Sequence, residues 1–471
     1  EISACLVGSE MCIRDSVPAI DRHLKHNTDT AGTHAMASAP PAGSKPRQLH
    51  LNINILHAGF YASAWRMPQT RPRDFLDIDH YVRTARVAER GKFDAVFLAD
   101  RPALESGFDA RPFLSLEPTV VLSTIAAHTT HIGLIATAST SFNEPYNIAR
   151  RFATVDIASR GRAGLNVVTT SDPSAAANFG QTQQAHADRY QRAQEFTEVV
   201  RKLWRSWDDD AWVGDKAGAR LIDGSKVHPI EHQGDFFSVR GALNVPRSPQ
   251  GQPVLVQAGG SGAGRDLAAR HAEVVFSVGE NIEQSAAYAA DLRARAVAYG
   301  RRPHELVVLP GLATVIGSTE AEARRREQEL AELIPIDFAV QRVSQTFGTD
   351  LSGLDLDAPF PDVPIPAQGG TTFAQSTLNF AREGNLTFRQ LLYKLGGGIG
   401  HRVIVGTPEQ IADDIQRWFE AGAADGFNLM PDVLPDGLEA FVDEVVPILQ
   451  RRGIFRTEYS ETTLRGHLGL A

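Results

Sequence analysis

The stretch IGLIATASTSFNEPYNIARRFATVDIASRGRAGLNVVTT, residues 132–170, decides the fold. An apolar run, HIGLIATAST (131–140), breaks at SFN. An amphipathic helix follows over 144–159, and a second apolar run, GRAGLNVVTT, closes the unit at 161–170. Runs that are apolar on both faces and separated by a helix are the mark of parallel strands covered on each side.

Outward from that unit the same alternation repeats. On the N-terminal side, LNINIL (51–56) precedes a helix over 74–93, and DAVFLAD (94–100) precedes one over 117–130. On the C-terminal side a long helix runs from about His186 to Trp207. Then come PVLVQAGG (253–260) with a helix from Ser261 to His271, EVVFSVG (273–279) with a helix over 281–300, and LVVLPGLATVIG (306–317) with a charged helix over 319–334. A helix over 407–421 leads into GFNLM (426–430), and a last helix spans 437–452. Eight such strands favour a closed (β/α)8 TIM barrel over an open doubly wound sheet.

Two regions depart from the repeat. Residues 208–250 are polar and rich in Gly and Pro, an excursion with a small hairpin around EHQGDFFSVRG (231–241). Residues 335–400 are too long for a connection and read as an insertion. Its centre, DLDAPFPDVPIPAQGG, has too many prolines and glycines for helix or central strand. Its flanks TTFAQSTLNFAREG and LTFRQLLYKLG have helical periodicity, so the insertion is expected to act as a lid over the barrel mouth.

Residues 1–48 read as a disordered tail ahead of one domain over 49–471. Within the tail, LVGSEMCIRDS (Leu6 to Ser16) resembles a translated sequencing-library adapter, and Met36 is the expected true start. Both cysteines, Cys5 and Cys12, lie in or beside that segment, so no disulfide or thiolate metal site is expected in the fold. The segment has no sustained apolar core of a signal peptide, and no apolar run approaches the ~20 residues that span a bilayer. The net charge of -9 argues against a nucleic-acid surface and gives no attraction to anionic lipid. A cytoplasmic protein is expected.

In such a barrel the chemistry sits at the C-terminal ends of the strands. Those ends hold Asp100, Thr137 to Thr140 and Thr169 to Ser171, which suit hydrogen bonding to a neutral, planar ligand better than hydrolytic acid–base work. The clearest ligand signal is QAGGSGAGRDLAARHA (257–272), a strand entering a Gly-rich turn and then a helix near Ser261. The free N–H groups of that helix start suit a phosphate; the plainer reading is a tight turn with Ser261 as N-cap. HADRY (186–190) sets His186 and Tyr190 four apart on one helical face. His228 and His232 are also four apart, but Pro229 lies between them and no metal site is expected.

These segments together resemble the luciferase-like flavin monooxygenases, in the branch that contains nitrilotriacetate monooxygenase, dibenzothiophene-sulfone monooxygenase, pristinamycin synthase and long-chain alkane monooxygenase. The resemblance runs from about Leu49 to the end. It rests on ERGKFDAVFLAD, IGLIATASTSFNEPYNIARRFATVD, SRGRAGLNVVTT, HADRYQRAQEFTEVVRKLW, SPQGQPVLVQAGGSGAGRDLAARHAEVVF and DGFNLMP. It implies FMN contacts at Asp100, Thr137, His186, Tyr190 and Ser261, with Ala187 where the family usually has Asp. Ser171 stands where the alkane enzyme has His, which speaks against alkane hydroxylation. The implied chemistry is that of an oxygenase component. A separate NAD(P)H-dependent flavin reductase supplies reduced FMN, O2 adds to give a flavin C4a-hydroperoxide, and a small organic substrate is oxygenated. Candidate pocket residues are His57, Phe60, Tyr61, Trp65, Phe142, Asn143 and Ser171. The resemblance also implies a homo-oligomer, dimer or tetramer. A deazaflavin-dependent oxidoreductase on the same barrel, or a non-catalytic flavin-binding protein, are the alternatives.

Overall fold

In the computed structural model the eight apolar runs are eight parallel strands: β1 His50–Asn54, β2 Ala95–Leu98, β3 Gly133–Ser139, β4 Ala163–Val168, β5 Val254–Ala258, β6 Val274–Ser277, β7 Val307–Ile316 and β8 Gly426–Pro431. The model describes residues 47–470 apart from 105–106, 280, 366–370 and 396–400. Strands β1 to β7 pair in sequence order, and β8 closes the ring between β7 and β1, with Gly311 opposite Asn428 and His50 opposite Gly426. The adapter-like segment and both cysteines lie outside the described residues.

A strand absent from the sequence reading, Arg402–Gly406, pairs with the upper half of β7, Leu312 opposite Arg402. Strand β7 is long enough for both neighbours on one edge: its first residues pair with β6, its later ones with this outer strand. The helix Ile336–Phe347 is a second addition, directly after the helix Glu320–Glu332. In the excursion, His232–Gln233 pairs antiparallel with Ser238–Val239, and a second hairpin joins Trp212–Asp215 to Arg220–Ile222.

Strand alternation sorts the side chains. Leu51, Ile53, Val96, Leu134, Leu165, Leu255, Leu312 and Leu429 point outward onto the helices, in one core with Phe152, Phe196 and Phe441. Phe97, Ile135, Val254, Val256, Phe276 and Leu309 point into the lumen and form its floor, with the Phe97 and Phe276 ring centroids 4.6 Å apart. The C-terminal segment plugs that floor from below with Leu464, Leu468 and Leu470. It is fastened by Arg456, which donates to Asp94 at 2.6 Å and to the His467 carbonyl at 2.9 Å. Burial pushes the Asp94 carboxyl up, but Arg456, His50 and the Leu51 N–H outweigh it and hold it at about 2.

Helices start where the sequence supplies caps. Pro118, Pro145 and Pro408 occupy first-turn positions, where a missing N–H costs nothing. Asp77, Thr407 and Ser261 accept from first-turn N–H groups.

Candidate active site

The helix after β5, Gly262–His271, builds one side of the mouth. Ser261 is its N-cap: the hydroxyl oxygen accepts from the Gly264 N–H at 3.1 Å. The turn before it is all glycine, and the Tyr288 hydroxyl donates to the Gly259 carbonyl at 2.6 Å, fixing the turn from behind. Across the turn lies Tyr190, buried on the His186–Trp204 helix and packed on Leu267. A methyl group placed on Gly264 would lie 3.1 Å from Gly259 Cα and 3.2 Å from both the Ser261 Oγ and the Tyr190 hydroxyl. Two hydroxyls and the backbone of the turn therefore close on Gly264 so tightly that a larger residue there must displace one of them. The His186 ring rests on Tyr190, centroids 4.7 Å apart. So the structure brings Ser261, Tyr190 and His186 together, as the cap reading and the phosphate reading both allow.

Thr137 lies in the lumen, where its Oγ1 accepts from Asn166 Nδ2 at 3.0 Å. Three further asparagines face inward: Asn52 and Asn54 on β1, and Asn428 on β8. The register puts Asn52 opposite both Ala95 and Asn428. Among the described residues the Asn52 carboxamide and the Oδ1 atoms of Asn54, Asn166 and Asn428 have no hydrogen-bond partner. Buried amide groups without partners cost about 1–3 kcal/mol each, so their presence above an apolar floor marks a lumen built to hold something polar. Sequence reading passed over them because an Asn within an apolar run looks like an interruption. The signal was there in LNIN, where Asn falls on alternate positions.

Asp100 is half-buried just past β2. Burial and the nearby Glu117 carboxylate raise its carboxyl to about 6. Beyond β3 and β4 the loops are knitted together: Asn143 donates to the Ser139 carbonyl at 2.8 Å, and Thr170 Oγ1 to Ser139 Oγ at 2.8 Å. The Ser171 carbonyl accepts from Gln183, and Phe142 stacks on Phe179 at 4.7 Å. The structure thus places Phe142, Asn143 and Ser171 in the adjoining loops after β3 and β4. His228 and His232 turn to different carboxylates, Asp208 at 3.2 Å and Glu195 at 3.0 Å.

On the β1 side of the mouth is a small cavity of about 20 Å³, room for little more than a water molecule. It is lined by the segment from Leu56 to Ala62, by Trp65, by Arg111 and Pro112 from the loop after β2, and by Arg342 from the insertion. His57 holds a left-handed backbone, φ 46°, rare for a residue with a side chain. Its carbonyl accepts from His80 Nε2 at 2.8 Å, which fixes that conformation. Gly59 must be glycine, because a Cβ there would stand 2.2 Å from the Asp432 carbonyl oxygen. Burial, then the Arg111 charge, lowers the His57 imidazole to about 3, so the ring is neutral at ordinary pH. Arg111 and Arg342 were not visible as a pair in the sequence, since a loop and an insertion supply one each.

The model of the luciferase-like monooxygenases matches residues 59–425, most of the barrel and the insertion. The chain belongs to this family. It is 43% identical to an N-acetyl-S-(2-succino)cysteine monooxygenase from Bacillus subtilis, over 91% of this chain and 98% of that one. It is 45% identical to nitrilotriacetate monooxygenase component A from Aminobacter aminovorans, covering 90% and 97%. Among solved structures an EDTA monooxygenase from Chelativorans sp. BNC1 superposes with a TM-score of 0.76 at 39% identity, covering 90% of this chain and 99% of that one. In this family setting the two halves of the mouth, a glycine cradle after β5 and a cavity after β1, face each other across one lumen. No helix among the described residues is long and apolar enough to cross a membrane.

Proposed function

We propose that this luciferase-like monooxygenase is the oxygenase component of a two-component system. It takes reduced FMN from a separate NAD(P)H-dependent flavin reductase and uses O2 to oxygenate a small organic substrate. The observation that carries the reading is the convergence of the Ser261 and Tyr190 hydroxyls on the glycine turn where the Gly262–His271 helix starts. That turn offers donors for a phosphate: N–H groups at a helix start, favoured by the helix dipole, and two hydroxyls. A partner component is suggested by the name of the Aminobacter relative, component A.

Each residue then has a task. Ser261, the Gly262 and Ala263 amides and Tyr190 hold the phosphate, with His186 backing Tyr190. Thr137, the lumen asparagines and Asp100 offer hydrogen bonds along the ring system. When bound, reduced flavin supplies the electrons that activate O2.

The insertion acts as the lid. It carries its own apolar core of Phe338, Val343, Phe347, Phe360, Leu378, Phe388 and Leu391, and it packs on Ala62 and Ala110 at the barrel mouth. Its proline-rich strap is tied to the insertion's own flank, since the Phe360 N–H donates to the Leu386 carbonyl at 3.0 Å. Covering the mouth excludes water from the reduced cofactor.

The test uses the full chain with a generic flavin reductase, NADH, FMN, ¹⁸O2 and N-acetyl-S-(2-succino)cysteine, the compound named for the Bacillus relative. One ¹⁸O atom per product molecule is expected from this or another small substrate of the branch. A deazaflavin enzyme would incorporate none, and no oxygen uptake with any of them would refute the reading. Replacing 355–365 with a Gly/Ser linker is expected to raise hydrogen peroxide per product several-fold; unchanged coupling would remove the lid.

A further inference from the structure

Among the described residues three arginines are buried: Arg162, Arg189 and Arg456. Two of them have evident partners. Arg456 faces the Asp94 carboxylate at 2.6 Å, and Arg162 spreads its N–H groups over oxygens of Ser159, Thr129, Ile132 and Ala126. Arg189 is the exception. It is 6% exposed, and its guanidinium makes one hydrogen bond among the described residues, Nη1 donating to the Gln184 carbonyl at 2.8 Å. Its Nε has no partner. No carboxylate among the described residues pairs with it, and the adjacent Asp188 is exposed. Buried charges are otherwise paired, because a buried cation without a counter-charge is strongly destabilising. The missing partner points to an anion from outside the chain.

Its place in the fold says which anion. Arg189 lies in the first turns of the His186–Trp204 helix, three residues after His186 and next to Tyr190. His186 and Arg189 therefore share a helical face, and the bond to Gln184 draws the guanidinium back toward the helix start. That end of the helix meets the glycine turn at Ser261 through the Tyr190 hydroxyl. The turn itself is short of positive charge. A helix start contributes about half a unit, whereas a phosphate monoester carries roughly two negative charges at neutral pH. The other cations nearby are engaged: Arg265 pairs with Asp291 at 2.9 Å, and Arg192 donates to the Thr140 carbonyl at 3.1 Å and lies over the Phe237 ring. We propose that Arg189 is the counter-charge for the phosphate that docks at the Ser261 turn. The inference rests on the monooxygenase reading for its ligand, and it adds a consequence. The phosphate relieves a destabilising buried charge, so one residue couples cofactor binding to the stability of the fold.

The experiment is anaerobic fluorescence titration of the full chain with two probes, reduced FMN and reduced riboflavin, alongside melting curves of the ligand-free protein. Arg189→Met is expected to weaken reduced FMN by about tenfold or more, the scale of a charge-assisted hydrogen bond, and to leave riboflavin nearly unchanged. Arg189→Lys keeps the charge and is expected to retain part of the FMN affinity. The ligand-free Arg189→Met protein is expected to melt at a higher temperature than the unaltered one, because a buried charge has been removed; an arginine with a merely structural role would give the opposite shift. On the unaltered protein, inorganic phosphate is expected to compete with reduced FMN and to raise the melting temperature, while chloride at the same ionic strength does neither, a test that needs no variant. Equal losses for FMN and riboflavin, an FMN affinity indifferent to Arg189→Met, a lower melting temperature of that ligand-free variant, or no competition by phosphate overturns the proposal. Arg189-dependent binding of FMN without oxygen incorporation would leave this inference standing and sink the oxygenase reading. Oxygenation with an FMN affinity indifferent to Arg189 would do the reverse.

Discussion

The two ends of this barrel are built on opposite principles. At the bottom, most polar groups are used to close the fold, with only single ring or guanidinium nitrogens such as Arg456 Nη1 and His467 Nδ1 lacking a partner among the described residues. Asp94 accepts from Arg456 at 2.6 Å, from the Leu51 N–H at 2.8 Å and pairs with His50 at 3.0 Å, under a layer of leucines from the C-terminal segment. At the top, polar groups are left waiting. Asn52, Asn54, Asn428, His57 and Trp65 carry buried atoms with no partner among the described residues. The contrast says where free energy is spent on stability and where stability is given up for a site. Substitutions at the bottom should unfold the protein without touching its ligands, and substitutions at the top should do the opposite.

The largest effect is expected from Arg456→Met. It leaves the fully buried Asp94 charge without its main partner, a loss of about 3–5 kcal/mol of unfolding free energy. Urea denaturation measures it, and the fraction that stays folded should bind reduced FMN as before. Weakened flavin binding at equal folded fraction would break the separation of the two ends.

Gly264→Val comes next. Its side chain crowds the Ser261 and Tyr190 hydroxyls out of place, so reduced FMN should bind about 100-fold more weakly, roughly 2.7 kcal/mol. The thermal transition should move by only a few degrees. Anaerobic fluorescence titration reads the first quantity and differential scanning fluorimetry the second.

Asp100→Asn should stabilise. The folded carboxyl titrates near 6 against an ordinary value of 3.8. Ionising it is therefore harder in the folded state, and wild-type stability falls as pH rises from about 4 through 6. The variant escapes that loss, by on the order of 2 kcal/mol at pH 8 and by nothing at pH 3. A gain that does not depend on pH would show that the carboxylate charge is not its source.

The smallest effects sharpen the comparison within the top end. Ser261→Ala and Tyr190→Phe should each weaken reduced FMN by about 1–2 kcal/mol, the scale of one hydrogen bond to a charged group. Riboflavin, which lacks the phosphate, should be nearly indifferent to either. Equal losses for both flavins would move the phosphate elsewhere.

The eight strands were legible because parallel strands buried on both faces are written as continuous apolar runs. Arg402–Gly406 was not, since four of its five residues are only half-buried and it lies against one edge of β7 rather than closing the ring. The helix Ile336–Phe347 was hidden by Pro335 and by the charged helix just before it, although Phe338, Ala339, Val343 and Phe347 carry a helical spacing. On the site, Ser261 and Tyr190 were readable because each sits in a local motif with a physical meaning. Arg111 and Arg342 were not, because only the folded insertion brings a loop residue and a lid residue to one cavity. The lumen asparagines fall between these cases, their alternation being visible but their inward direction fixed only once the barrel closes.

The central claim is that the top of this barrel binds reduced FMN and governs its reaction with O2. Stopped-flow mixing of the anaerobic complex of protein and reduced FMN with oxygenated buffer tests it most directly. The account predicts flavin reoxidation in more than one resolved phase, with a final phase slower than that of free reduced FMN and slowed further relative to the Gly264→Val protein. Reoxidation with the time course of free reduced FMN, unchanged by protein at concentrations that saturate binding, would contradict it.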